Sequence, residues 1–125
     1  MTATGNDLVG AWDLESWSLE HDDGRPREFP LGDRARGMLL YTPGGEVSAT
    51  LMRVGEPPGS FSYAGRYVVR DGAVHHSIEV ASDPSLVGIT TTRRITRDGD
   101  RLVLTGADFR AGTGRTQKIA WRRRS

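Results

Sequence analysis

The sequence predicts an all-β fold, an eight-stranded antiparallel up-and-down β-barrel, and three observations carry that expectation. First, four glycine-containing turns lie between runs rich in Val, Ile, Leu, Thr, Tyr and Trp: Asp22-Asp23-Gly24, Pro43-Gly44-Gly45, Asp71-Gly72 and Asp98-Gly99-Asp100. Asp-Gly and Gly-Gly supply the positive φ that tight hairpins need. Second, these runs and turns repeat down the whole chain, which makes a meander of neighbouring strands. Third, 16 glycines and a hydrophobic content of 36% in 125 residues suit short strands better than long helices. A sheet of this size hides its two edges by closing on itself. A closed barrel has an interior, and the interior is where a small molecule would sit.

The elements follow in order. Residues 1–6 read as a loose leader, with Asn6 or Asp7 capping one helical turn through Leu8 and Val9. The first strand covers 11–20. A polar connection from His21 to Arg36 contains Pro26 and Pro30, and a loop of that length is expected to lie across one end of the barrel as a lid. Strands at 37–42 and 46–53 flank the Gly-Gly turn. Gly55-Glu56-Pro57-Pro58-Gly59-Ser60 interrupts the ladder, because neither proline can donate to it. Further strands are expected at 63–70, 73–82, 88–97, 101–106 and 115–123. Asp83-Pro84-Ser85 and Ala111-Gly112-Thr113-Gly114 form the remaining loops.

Alternation assigns the faces. Val74, His76, Ile78 and Val80 share one face of the fifth strand, and their apolar character turns them inward, carrying the His76 imidazole inside. Tyr67 and Val69 share a face, as do Val47, Ala49 and Leu51, and Ile119 and Trp121. In the first strand Trp12 and Leu14 are out of phase with Trp17 and Leu19, which calls for a bulge between them. In the sixth strand Thr90, Thr92 and Arg94 oppose Ile89, Thr91, Arg93 and Ile95, and the pattern leaves both orientations open. An inward Arg94 would be a buried cation in need of an anionic partner or ligand.

Composition narrows the function. Seventeen basic and 16 acidic residues leave a net charge of +1, so no global field favours nucleic acid or a membrane surface. There is no cysteine, hence no disulfide framework and no thiol nucleophile. The stretch Met1 to Asp7 has neither a basic region nor an apolar run, so a cytoplasmic location is expected. One domain is expected over residues 1–125, long enough to bury about two-thirds of its unfolded surface.

Gly10-Ala11-Trp12 at the start of the first strand matches the Gly-x-Trp of lipocalins and related calycin barrels, and Trp121-Arg122-Arg123 resembles the closing strand whose arginine packs over that tryptophan. A wider set occurs in order: Leu8-Val9-Gly10, Ser16-Trp17, the 37–42 strand with Pro43 after it, Ser48-Ala49, Leu51-Met52-Arg53, Ser62-Tyr63-Ala64-Gly65-Arg66-Tyr67, His75-His76 and Val87-Gly88. It covers nearly the whole chain and resembles the small bacterial and fungal lipocalin-like domain family. The resemblance implies an eight-stranded barrel with a central cavity. Several barrels of this general type accompany natural-product pathways, where they bind, isomerise or cyclise hydrophobic intermediates.

Among candidate site residues, His76 comes first. A neutral histidine inside an apolar barrel can serve as general acid or base, or donate to a carbonyl. Its plain alternative is a core histidine satisfied by Tyr67 or Thr92. Tyr67 is the second catalytic candidate, and Tyr41, Tyr63 and Tyr67 all offer phenol hydroxyls to a ligand oxygen. Met38 and Met52 are expected as soft cavity lining. Arg94 and Thr92 are expected as polar ligand contacts and Trp121 as an apolar one, although Trp12 and Trp121 also serve as barrel plugs. Arg66, Arg93 and Arg94 could recognise a carboxylate or enolate; their plain role is pairing with Glu79, Asp13 or Glu15. His75 and His76 diverge on the strand and no third ligand is placed to help, so no metal site is expected. No Gly-x-Ser-x-Gly occurs, no pair of carboxylates suits glycoside chemistry, and no glycine-rich strand-to-helix motif suits a dinucleotide, so no cofactor is expected.

The functional expectation is a barrel enclosing a small, largely apolar metabolite, in its enzymatic form a cofactor-independent cyclase or isomerase. The alternatives are a non-catalytic carrier and an interaction module with a packed interior. Exposed Trp17 and Leu19 would fit a homodimer face.

Overall fold

The computed structural model describes residues 5–32, 34–107 and 114–124. Expectations about residues 1–4 and 111–113 lie outside them. The eight strands are β1 (Gly10–His21), β2 (Arg36–Tyr41), β3 (Glu46–Met52), β4 (Ser60–Arg70), β5 (Ala73–Ala81), β6 (Thr90–Asp98), β7 (Arg101–Ala107) and β8 (Arg115–Arg123). They close into a barrel in chain order, with β8 returning to β1. A short helix, α1 (Gly5–Leu8), precedes them. A 3-10 turn over Pro84–Leu86 joins β5 to β6, and its Asp83 cap accepts from the Ser85 amide.

The tight turns form as their residues dictate. Asp71 and Gly72 both take positive φ, 53° and 75°, the geometry a two-residue hairpin needs. The β2–β3, β4–β5 and β6–β7 turns and α1 occupy one end of the barrel, the hairpin end. The longer described connections, 53–59, 82–89 and the described part of 22–35, gather at the opposite, loop end.

The hairpin end is sealed by Trp12, fully buried, whose Nε1 donates to the Leu8 carbonyl at 2.9 Å. The Arg123 guanidinium lies 4.3 Å from the Trp12 ring centroid and donates to the carbonyls of Val9 and Asp7. Arg97 stands 5.1 Å from the same ring. These contacts are worth having because the positive heads sit on the ring's negative face while satisfying carbonyls that α1 leaves open.

At the loop end the 22–35 connection folds back as expected of a lid. Leu19 and Glu28 exchange both backbone hydrogen bonds, and Leu31 enters the core. Leu86 of the 3-10 turn does the same.

Two irregularities set the faces. The register shift between Leu14 and Ser16 against β8 is the expected bulge, and it brings Trp17 to the core side in step with Trp12. Trp17 and Leu19 are thereby unsuited to the dimer face expected of them: Leu19 is buried and Trp17 packs against the core. A second shift lies between Ala64 and Gly65, where Ile78 pairs with Gly65 and Val80 with Ala64. The extra residue, Glu79, reverses the alternation, so Val80 is 61% exposed rather than inward.

Candidate functional site

Inside the barrel, alternation along β2, β4 and β5 converges three polar side chains. β5 turns His76 inward and buries it between Val74 and Ile78. Tyr41 ends β2 on the inward phase of Leu39, and Tyr63 does so in β4. The Tyr41 hydroxyl lies 2.6 Å from His76 Nε2, and the Tyr63 hydroxyl lies 2.6 Å from Nδ1. Both imidazole nitrogens are thus engaged by phenols. A neutral imidazole has one N–H and one lone pair, so one tyrosine donates to the ring and the other accepts from it. With the hydrogen on Nδ1, Tyr63 accepts and keeps its own hydroxyl hydrogen to donate.

Burial sets the protonation states. Desolvation, with the charge of Arg93 and then His75 adding to it, lowers the His76 pKa from 6.5 to about 3. Desolvation raises the Tyr63 hydroxyl to about 12 and pushes Tyr41 well up, despite the opposing pull of Arg93. All three groups are neutral at physiological pH. His76 thus stands as a neutral imidazole bonded on both nitrogens, its pKa held below the range in which a general base works best.

The cluster borders a cavity of about 20 Å³ lined by Trp17, Leu39, Ala49, Leu51, Phe61, Tyr63, His76, Arg93, Leu104, Ile119 and Trp121. That volume holds about one water-sized group. Trp17, Phe61 and Ile119 are only partly buried and form its loop-end side. Trp17 and Phe61 pack with ring centroids 5.9 Å apart, and Phe61 meets Tyr63 edge-on at 5.8 Å.

The expected site is assembled in part. His76, Tyr41 and Trp121 are inside, but His76 is satisfied by Tyr41 and Tyr63, not by Tyr67 or Thr92. Tyr67 is buried edge-on to Tyr41 at 4.7 Å, and its hydroxyl donates to the Thr42 carbonyl at the hairpin end. Tyr63, which was expected only to offer its hydroxyl to a ligand, stands beside the imidazole instead.

Four expected contacts lie outside the barrel. Met38 is out of phase with Leu39 and Tyr41, and Met52 with Leu51; both line an outer groove with Asp13, Leu14, Arg36, Thr50 and Arg124. Arg94 and Thr92 face solvent, where Thr92 Oγ1 lies 3.0 Å from His75 Nδ1. The inward residues of β6 are Thr91 and Arg93. The signal was present: Ile89 and Ile95 share the parity of Arg93 and pack on the core. Of the three arginines given the plain pairing role, Arg66 pairs with Glu79, whereas Asp13 is paired with Arg124 and Glu15 with Arg101 and Arg122.

A closed antiparallel meander with a polar cluster sunk in its interior defines a small lipocalin-like barrel. The Lipocalin-like domain model matches residues 9–62 and 59–124, and the chain belongs to that family. The match agrees with the expected resemblance, including Arg123 packed over Trp12. Among solved structures the chain is similar to a redesigned beta barrel (15% identity, TM-score 0.58, covering 100% of this chain and 98% of that one). It is also similar to a lipocalin-like protein from Bacteroides uniformis (19%, 0.55, 94% and 99%) and an uncharacterized protein from Bacteroides eggerthii (13%, 0.52, 94% and 100%). At these identities the likeness is one of fold. A search of curated proteins finds no match. The lipocalin-like barrel suggests small-molecule binding.

Proposed function

We propose that this barrel binds a small, largely apolar metabolite at the loop end, holding one ligand oxygen against Tyr63. The observation that carries this reading is the His76 imidazole fixed between two phenols on the wall of a cavity whose other lining, Arg93 apart, is aromatic and aliphatic. Two hydrogen bonds join the three buried polar groups through His76, and a network held in this way can orient a ligand oxygen. The apolar body of the ligand lies over Trp17, Phe61 and Ile119, which move outward to admit it.

In the catalytic form of this reading the protein is a cofactor-independent cyclase or isomerase of natural-product biosynthesis. Tyr63, backed by His76, donates to a ligand carbonyl and stabilises the negative charge that develops there. The barrel wall supplies the reactive shape. In the non-catalytic form it is a carrier with the same contacts. The small volume of the cavity favours one competing reading, an interaction module whose interior is simply filled.

Native mass spectrometry of freshly purified protein, followed by denaturation, separates these readings. The expected result is a bound mass that is released as a small apolar compound. Tyr63→Phe is expected to weaken its retention about tenfold, the cost of one buried hydrogen bond. Turnover of that compound by the wild type identifies an enzyme, and its unchanged recovery identifies a carrier. Bare protein mass, with no thermal shift across a lipophilic library, establishes the packed module.

A further inference from the structure

A tyrosine hydroxyl has one hydrogen to give and lone pairs with which to receive, so each bond to His76 runs in a definite direction. The Tyr41 hydroxyl lies 2.6 Å from Nε2 and the Tyr63 hydroxyl 2.6 Å from Nδ1. The neutral ring carries a single hydrogen, on one nitrogen or the other. With that hydrogen on Nε2, Tyr41 accepts it and its own hydroxyl hydrogen needs another acceptor. With it on Nδ1, Tyr41 donates to Nε2 and Tyr63 accepts from Nδ1.

The surroundings of Tyr41 decide between the two. Among the described residues its hydroxyl has one hydrogen-bond partner, His76 Nε2, and the residue is 2% exposed. Tyr67 packs edge-on against it at 4.7 Å, but the Tyr67 hydroxyl is committed to the Thr42 carbonyl at 2.8 Å. Neither bulk solvent nor a second acceptor is there to take a hydrogen from Tyr41. A buried hydroxyl hydrogen left without an acceptor costs the desolvation of that group in full. Tyr63 is under no such constraint. It stands on the cavity wall and has contacts beyond the imidazole, the edge of Phe61 among them.

We propose that Tyr41 is a positioning residue that sets the tautomer of His76: its hydroxyl donates to Nε2, which holds the ring hydrogen on Nδ1 and makes Tyr63 the acceptor of that hydrogen. The three groups then form a directed chain from Tyr41, where β2 ends, through the imidazole to Tyr63 on the cavity wall. Bonds in such a chain polarise one another. Donation by Tyr41 strengthens Nδ1–H as a donor, and acceptance of that hydrogen strengthens the Tyr63 hydroxyl as a donor in turn. The Tyr63 hydrogen points away from the imidazole, whatever acceptor receives it. On the small-molecule reading above, on which this consequence rests, a ligand carbonyl oxygen is such an acceptor. Tyr41 thus tunes that contact without touching the ligand.

The test is nitrogen NMR of isotope-labelled protein at pH 7 with no compound added, because bare and hydrogen-bearing imidazole nitrogens resonate far apart. The chain has three histidines, and the His76 signals are those missing from His76→Gln. The expected wild-type result is hydrogen on Nδ1 in preference to Nε2 by about tenfold or more, the scale of one unsatisfied buried hydroxyl. Tyr41→Phe removes that preference, because nothing then donates to Nε2. Tyr63→Phe keeps it, because Tyr41 still donates. A role for Tyr41 in packing alone would leave the tautomer unchanged in both variants, and an unchanged preference in Tyr41→Phe overturns the positioning role. A wild-type hydrogen on Nε2 overturns the proposal outright, even if neither variant folds. The spectra need no ligand, so a failed search for a bound compound leaves the tautomer standing, and a reversed tautomer leaves the binding reading standing.

Discussion

At the scale of single residues, the free energy of this protein is coupled to pH through His76. Its folded pKa of about 3 lies below the ordinary histidine value of 6.5, so the unfolded chain binds the proton more readily. The neutral, bonded imidazole contributes fully above pH 6.5, and that contribution is lost as the pH falls through 6.5 toward 3. The slope is about 1.4 kcal/mol per pH unit. Urea unfolding at pH 7 and pH 5 is therefore expected to differ by about 2 kcal/mol more in the wild type than in His76→Gln. An equal pH dependence in the two proteins would show that the imidazole does not titrate with unfolding. The inward position of His76 was legible in the alternation of Val74, His76 and Ile78. Its partners were not, because Tyr41, Tyr63 and His76 meet across the interior from strands whose mutual register no local pattern encodes. Met38 and Met52 were legible as outward, since each is out of phase with the apolar residues of its own strand; side-chain softness is a weaker guide than parity.

At the scale of elements, turns were readable and bulges only half so. Asp-Gly and Gly-Gly announce hairpins through backbone conformation alone. The β1 bulge was visible as a break in tryptophan parity. The β4–β5 bulge was not, because its cause is a close approach: a Cβ on Gly65 would stand within contact range of the Ser77 carbonyl oxygen, at 1.9 Å. Here glycine is required by a neighbouring strand rather than by its own dihedrals. Gly65→Ala is expected to cost at least about 3 kcal/mol, since backbone must move to admit the methyl group. A urea midpoint close to that of the wild type would mean that the two strands have room to part. The orientation of β6 escaped local reading for another reason. Thr90 to Arg94 offers no apolar contrast, and only Ile89 and Ile95 outside that run mark the inner face.

At the scale of the molecule, the two ends of the barrel are built for different purposes. The hairpin end is held by Trp12, Leu8, Arg97 and Arg123, and none of these lines the cavity. Trp12→Ala is expected to lose about 3–5 kcal/mol, the usual cost of emptying a tryptophan site. At low temperature, where the variant still folds, its preference among the compounds of a lipophilic library should match the wild type. A changed preference would mean that the ends communicate. The meander was the most legible property of all, because eight strands in chain order need only local turns. One further property follows from an even number of strands. Gly10 begins β1 and Arg123 closes β8 at the same end, where the Arg123 guanidinium touches the carbonyls of Asp7 and Val9. A dye or a sensor surface joined through a side chain at Asp7 or Arg124 thus stands behind the seal, a full barrel length from the loop end. Immobilised by either route, the protein faces its solution like a cup set on its base.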